Sequence, residues 1–267
     1  MGHLGSQLVG VLRKTWRRMV PGTLRHWLWA IGQKHPWPPV DRVRFGNLRR
    51  LTPIGRWFGF DRGLPIDRYY IEGFLAHQAA DIGGHVLEVG DARYTRMFGG
   101  NRVTKSDVLY ATVGEPGPEV TIIADLTDAE HVPADTFDCI ILTQTLLFIY
   151  DVRAAVKTLY RILKPGGVVL VTVPGITQID HGGMEIWGHY WGFTVQSAQR
   201  LFEEFFPTAS ITVESRGNVL AASAFLYGLA THELRQDELD YHDADYQVNI
   251  TIRAMKPRAT AQHCSQR

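Results

Sequence analysis

Cysteine is scarce in this chain. Cys139 and Cys264 are the only two among 267 residues, one inside an apolar run and one in a polar tail. Two cysteines so far apart offer neither a disulfide framework nor a metal-ligand cluster, and they suit a reducing compartment. Long apolar runs are also missing: no window approaches the roughly 20 residues that cross a bilayer. Nor is there an excess of charge of one sign, with 28 Lys plus Arg against 27 Asp plus Glu, so nothing global points to nucleic acid. The short apolar stretch at 8–12 runs straight into Arg13, Lys14, Arg17 and Arg18 without a small-residue cleavage site, and does not read as a secretory leader. These absences predict a cytoplasmic protein with no resident metal. Internal repeats and low-complexity segments are absent as well.

What is present is organised around residues 83–107, GGHVLEVGDARYTRMFGGNRVTKSD. Residues 85–89 (HVLEV) form an apolar run of the kind a buried parallel strand uses. Glu88-Val89-Gly90 then opens a polar turn, and residues 102–108 make a second strand with Asp107 at its end. Strand, glycine turn, helix, strand and acid is the layout of a nucleotide-binding βαβ unit, in which the acid bonds ribose hydroxyls. A G-x-G-x-G turn would place glycine at 90, 92 and 94, whereas this chain has Gly90, Ala92 and Tyr94. An ordinary βα turn of another α/β protein fits that stretch equally well when it is taken alone.

The remaining elements extend the α/β pattern. Residues 66–82 have helical periodicity at Ile71, Phe74 and Leu75 and stop at Gly83-Gly84; the start of this helix, 67–70, is expected over the same crevice. Residues 120–124 and 136–143 read as the third and fourth strands, and 151–163 as an amphipathic helix ending at Lys164-Pro165-Gly166-Gly167. Residues 168–173 (VVLVTV) read as a central fifth strand, 194–206 as a helix with Thr194 as N-cap, and 210–214 as a sixth strand. Residues 219–229 read as helical, 239–245 as an acidic loop, and 246–255 alternate as an antiparallel seventh strand.

This order of parts resembles the class I S-adenosylmethionine-dependent methyltransferases. The match lies in VLEVGDARYTR at 86–96, in the acid of VTKSD at 107, and above all in residues 124–175. There an acid-Leu pair, Pro before Phe-Asp, an apolar strand and a helix ending Leu-Lys-Pro-Gly-Gly follow one another, as in the small-molecule type-11 branch. The wording of GDARYT and RGLPIDRYYIEGFL resembles a bacterial subgroup associated with glycan assembly. The resemblance implies an α/β, Rossmann-like sheet of seven strands in the order 3-2-1-4-5-7-6, the last strand antiparallel, with helices on both faces. It implies S-adenosylmethionine as cofactor. Glu88 and Gly90, with Asp91 and Ala92, would shape the turn under the methionine portion, and Asp107 with Val108 would sit at the ribose. Asp125 and Leu126 would flank the adenine, Gln144 would face the sulfonium, and Tyr70 would lie over the crevice.

A sulfonium methyl is already electrophilic, so the protein need only align a nucleophile and exclude water. A base is required only for a hydroxyl acceptor. The candidates lie in residues 179–193, where His181 and His189 could take a proton and Trp187, Tyr190 and Trp191 could stack on an acceptor ring. These aromatics read equally as core beneath a loop. The acceptor pocket is expected between 179–193 and the long connection at 217–245. Residues 1–60 carry eleven Lys or Arg against the single acid Asp41, with helical spacing at 5–19 and a second short helix at 23–31. They are read as a basic arm and connector, able to contact an anionic membrane surface or a partner. Residues 61–257 are read as the catalytic domain and 258–267 as a disordered tail.

Two further readings stay open. A cofactor-deficient, methyltransferase-like module could partner glycan-assembly enzymes; Ala92 and Tyr94 favour it, while Glu88, Asp107, Asp125 and Leu126 oppose it. An NAD-dependent oxidoreductase would share the sheet, but the Lys-Pro-Gly-Gly turn and the antiparallel last strand oppose that reading.

Overall fold

The structure is a computed structural model that describes residues 37–39, 41–111 and 119–258. The helices expected at 5–19 and 23–31, and the tail after 258, lie outside the described residues. The chain divides into two compact units, Met1–Arg50 and Leu51–Arg267. In the first, the described residues form one 3-10 turn, Gly46–Leu48. The division falls at Arg50/Leu51 rather than near residue 60, because residues 51–60 are tied into the larger unit. The N–H groups of Ile54 and Gly55 both donate to the Tyr227 carbonyl, at 2.9 and 3.1 Å, and Phe58 packs on Phe225.

The larger unit is built on one seven-stranded sheet. Its strands are β1 Gly84–Val89, β2 Val103–Tyr110, β3 Ile122–Ile123, β4 Phe137–Thr143, β5 Leu163–Pro174, β6 Ile211–Arg216 and β7 Asn249–Met255. Their order is β3-β2-β1-β4-β5-β7-β6, as expected. β1 pairs parallel with β2 and β4, and β7 runs antiparallel between β5 and β6. The helices are α1 Ile66–His77, α2 Val152–Ile162, α3 His181–Trp187, α4 Val195–Glu203, α5 Val219–Leu226 and α6 Gln236–Asp240.

Alternation along the strands feeds two cores, because successive side chains leave a strand on opposite faces. Leu87, Ile140, Leu142 and Val169 pack with Ala155, Val156 and Leu159 of α2 on one face. Val86, Ile141 and Leu170 pack with Ile71 and Leu75 of α1 on the other. A third cluster joins Ile66 and Tyr70 of α1 to Ala221 and Phe225 of α5.

Three elements depart from expectation. The helix after β1 is short and irregular, with α geometry at 93–94, a π turn at Thr95–Gly99 and a 3-10 turn at Gly100–Arg102. Gly100, at φ +56, ends the π turn, a value that glycine adopts freely. β5 begins at Leu163, so Lys164-Pro165-Gly166-Gly167 lies within an irregular strand opening, with a register shift against β4 between Phe137 and Cys139. Within the acidic stretch read as a loop at 239–245, α6 reaches Asp240, and Leu239 is buried.

Candidate functional site

The carboxyl ends of the parallel strands surround a cavity of about 720 Å³. Open α/β sheets place ligands at this edge. β1 delivers Glu88 and Gly90, β2 delivers Leu109 and Tyr110, the loop after β3 delivers Asp125 and Leu126, and β4 delivers Thr143 with Gln144 just beyond.

Glu88 builds the turn. Its Oε1 accepts from Tyr94 N at 3.0 Å, and its Oε2 accepts from Thr95 N and Thr95 Oγ, each at 2.7 Å. Burial pushes its carboxyl up from the ordinary value, and these three donors pull the other way. The missing glycines are explained by the backbone. Gly90 has φ +99, and a Cβ there would enter open space. Tyr94 has φ −76, and Ala92 is not left-handed, so neither position requires glycine. Tyr94 instead fills the core beside Ile71 and Leu75, stacks on Phe98, and accepts a hydrogen bond from Arg68 at 3.3 Å.

Asp125 Oδ1 accepts from Thr127 N and Thr127 Oγ, both at 2.8 Å, which leaves Oδ2 for a ligand. Gln144 holds φ +47, a strained value for a residue with a side chain. Its N–H donates to Thr172 O at 2.8 Å, and its amide reaches Thr172 Oγ at 3.4 Å.

Asp107 stands elsewhere. β2 continues to Tyr110, two residues beyond the expected end, so Asp107 pairs with Leu87 inside the sheet. Its Oδ2 meets His85 Nε2 at 2.5 Å and Lys105 Nζ at 2.9 Å. Burial pushes its carboxyl up, but hydrogen bonds from His85, Lys105 and Thr121 more than offset this and leave it below its ordinary value. Asp107 and Val108 do not line the cavity; Tyr110 and Ala111 occupy the end of β2. Tyr70 is also withdrawn: it is buried against α5 and donates to Leu239 O at 3.0 Å, and its hydroxyl is pushed up to about 12, chiefly by burial. Ala92 is buried and off the lining.

A second cavity of about 200 Å³ adjoins the first. Phe60, Arg68, Thr143, Gln144 and Phe148 belong to both. Asp67, Asp180, His189 and Phe225 complete its character. Asp180 and His189 of the 179–193 segment face Phe225 of α5 across it. His189 accepts from Asp180 N at Nδ1 (3.3 Å), so its neutral ring carries the proton on Nε2 and presents a donor. Burial holds its pKa below the ordinary value, against the opposing charge of Asp180. His181 opens α3 behind the Asp180 cap and lines neither cavity.

The three candidate aromatics separate. Trp187 and Tyr190 line the large cavity, and Trp187 meets Tyr110 edge-on across it at 5.6 Å. Trp191 does not line it; its Nε1 donates to Ile149 O at 2.9 Å and its ring stacks on Tyr150. Asp67 and Arg68 fall in the 67–70 stretch expected over the crevice, whereas Tyr110 and Phe148 were not singled out. Position at a strand end or in the first turn of α1 was the available signal. Among the described residues, no group of three or more His, Cys, Asp or Glu could hold a metal, and no helix is long and apolar enough to cross a membrane.

Known proteins can now be set beside this geometry. Residues 87–171 match the family described as "Methyltransferase domain". A stretch of 46 residues is 50% identical to the ubiquinone/menaquinone biosynthesis C-methyltransferase of Haemophilus ducreyi, covering 16% of this chain and 18% of that relative. Among solved structures, a SAM-dependent methyltransferase from Archaeoglobus fulgidus is similar at TM-score 0.48 and 10% identity, over 71% of this chain and 94% of that one. Phosphoethanolamine N-methyltransferase 2 of Haemonchus contortus, in complex with S-adenosylhomocysteine, is similar at TM-score 0.42 and 17% identity, over 75% of this chain and 59% of that one.

Proposed function

We propose that this chain is an S-adenosylmethionine-dependent methyltransferase acting on a small-molecule or glycan-linked acceptor. The observation that carries this reading is the pairing of two adjoining cavities at the carboxyl edge of the sheet, the larger opening on the Gly90 turn. The residues fit the cofactor. A side chain at Gly90 would fill the space a ligand needs, Asp125 keeps Oδ2 for an amino group, and Leu126, Val89 and Leu109 offer apolar contact. Bound S-adenosylmethionine supplies an electrophilic methyl group.

The chain's own residues then bind, orient and exclude water. Glu88 fixes the turn, Gln144 stands at the junction of the cavities, and Trp187 with Tyr190 walls the large cavity from solvent. The smaller cavity holds the acceptor against Phe148 and Phe225. Asp107 takes no part at the ribose in this reading, because its carboxyl is engaged by His85 and Lys105. His189 serves as a hydrogen-bond donor to the acceptor, and His181 has no part in the site. Residues 1–60 keep the proposed role of a basic arm toward an anionic surface or a partner.

Equilibrium dialysis of labelled S-adenosylmethionine against the wild type and Asp125→Ala tests the reading. Loss of a hydrogen bond to a charged group should weaken binding roughly tenfold, about 1.5 kcal/mol. A wild-type chain that retains no S-adenosylmethionine would favour the cofactor-deficient module instead.

A further inference from the structure

The smaller cavity combines flat apolar walls with converging polar groups. Phe58, Phe60, Phe148 and Phe225 supply the walls. Arg68, Gln144 and the Nε2–H of His189 supply donors, while Asp67 and Asp180 supply carboxylates. Each carboxylate accepts a backbone N–H at Oδ1, but in different places. Asp180 caps α3, its Oδ1 accepting from Gly183 N at 3.1 Å. Asp67 stands in the first turn of α1, where its Oδ1 accepts from the neighbouring Arg68 N at 2.8 Å. Its Oδ2 takes no hydrogen bond from the described residues.

We propose that this cavity takes a hydroxyl-bearing ring of the acceptor and that Asp67 Oδ2 accepts the hydroxyl proton during O-methylation. The proposal rests on the methyltransferase reading above. A polyhydroxylated ring is the ligand class that uses both flat aromatic faces and edge-directed donors and acceptors. His189 cannot be the base in its present tautomer, since Nδ1 is occupied and Nε2 already bears a proton. Of the two carboxylates, Asp180 is committed to capping α3, whereas Asp67 bonds only within its own turn, so the proton is assigned to Asp67. In the step, the proton passes from the acceptor hydroxyl to Asp67 Oδ2, one O–C bond forms, and one S–C bond breaks with its electron pair kept by sulfur.

The geometry is consistent with a carboxyl tuned for this work. Desolvation pushes Asp67 above its ordinary value; Arg68 opposes the shift and Glu72 adds to it. Asp180 and His189 line the same cavity, and Asn249 of β7 touches the Asp67 carbonyl at 3.5 Å. A base nearer to neutral pH is more effective than an ordinary exposed carboxylate.

The test is labelling with glycidol, a small hydroxylated epoxide, on the full chain with S-adenosylhomocysteine present. A carboxylate oxygen opens the epoxide, forming an ester C–O bond while the epoxide oxygen takes a proton from water. Peptide mass spectrometry should place the ester on Asp67 at least about tenfold faster than on the exposed Asp245, as expected of a carboxylate poised for proton transfer. The rate should rise with pH through a midpoint above the ordinary carboxylate range of about 4. In Asp67→Asn that ester should vanish, while calorimetric affinity for S-adenosylhomocysteine changes by less than about twofold, the scatter expected for a residue without contact. Labelling of Asp67 no faster than of Asp245 overturns the proposal. The calorimetric arm separates the two ideas, because absence of S-adenosylhomocysteine binding by the wild type counts against the methyltransferase reading itself. Should Asp67→Asn fail to fold, the wild-type labelling map decides alone.

Discussion

Three donors converge on the Glu88 carboxylate, and all three belong to the turn that shapes the large cavity. Removing the charge leaves them competing for a weaker acceptor in a buried place. Glu88→Gln should cost about 1–3 kcal/mol in urea denaturation and should weaken S-adenosylmethionine binding in parallel. Asp107 should behave in the opposite way. Asp107→Asn should lower stability but leave cofactor affinity unchanged, because its partners are His85 and Lys105 rather than a ligand. Its folded pKa is depressed, so its contribution is present above the unfolded value of about 3.9 and is lost as pH falls through the folded value. Melting temperatures of the wild type and the variant should therefore converge in acid. Glu88, Gly90, Asp125 and Leu126 were singled out from their places at strand ends, and all four line the large cavity. Asp107 lies off the lining because β2 runs two residues past the expected end, and strand ends are poorly marked where Val108-Leu109-Tyr110 continues an apolar run.

At the scale of elements, the 179–193 segment is two things in one. Trp187 forms cavity wall, while Trp191 is a tether to Ile149 and Tyr150. Trp187→Ala should remove most of the change in tryptophan fluorescence on S-adenosylhomocysteine binding while leaving the melt nearly unchanged. Trp191→Ala should lower the melting temperature first. The insertion between β6 and β7 hangs on Asn218. Its Oδ1 caps α5 by accepting from Ala221 N at 2.9 Å, and its Nδ2 donates to Glu238 O and Tyr241 O at 2.7 and 2.8 Å. Asn218→Ala removes the cap and leaves two carbonyls short of a donor, so it should cost about 2–3 kcal/mol in thermal or urea unfolding. The sheet was legible because each strand carries its own apolar run and turn. The irregular helix after β1 was not, because the pattern of the βαβ unit predicts a regular helix where Gly100 breaks the helical backbone at φ +56.

For the whole molecule, unit Leu51–Arg267 contains the complete sheet and both cavities. Deleting residues 1–35 should therefore leave cofactor binding intact, and sedimentation with anionic vesicles should fall if the basic arm acts there. The most direct test of the account is a calorimetric titration of the purified full chain with S-adenosylmethionine and, separately, with NAD. The account predicts one S-adenosylmethionine per chain, with Kd within roughly the 1 μM to 1 mM range typical of enzyme substrates, and no heat from NAD. Saturable NAD binding with no response to S-adenosylmethionine would contradict it.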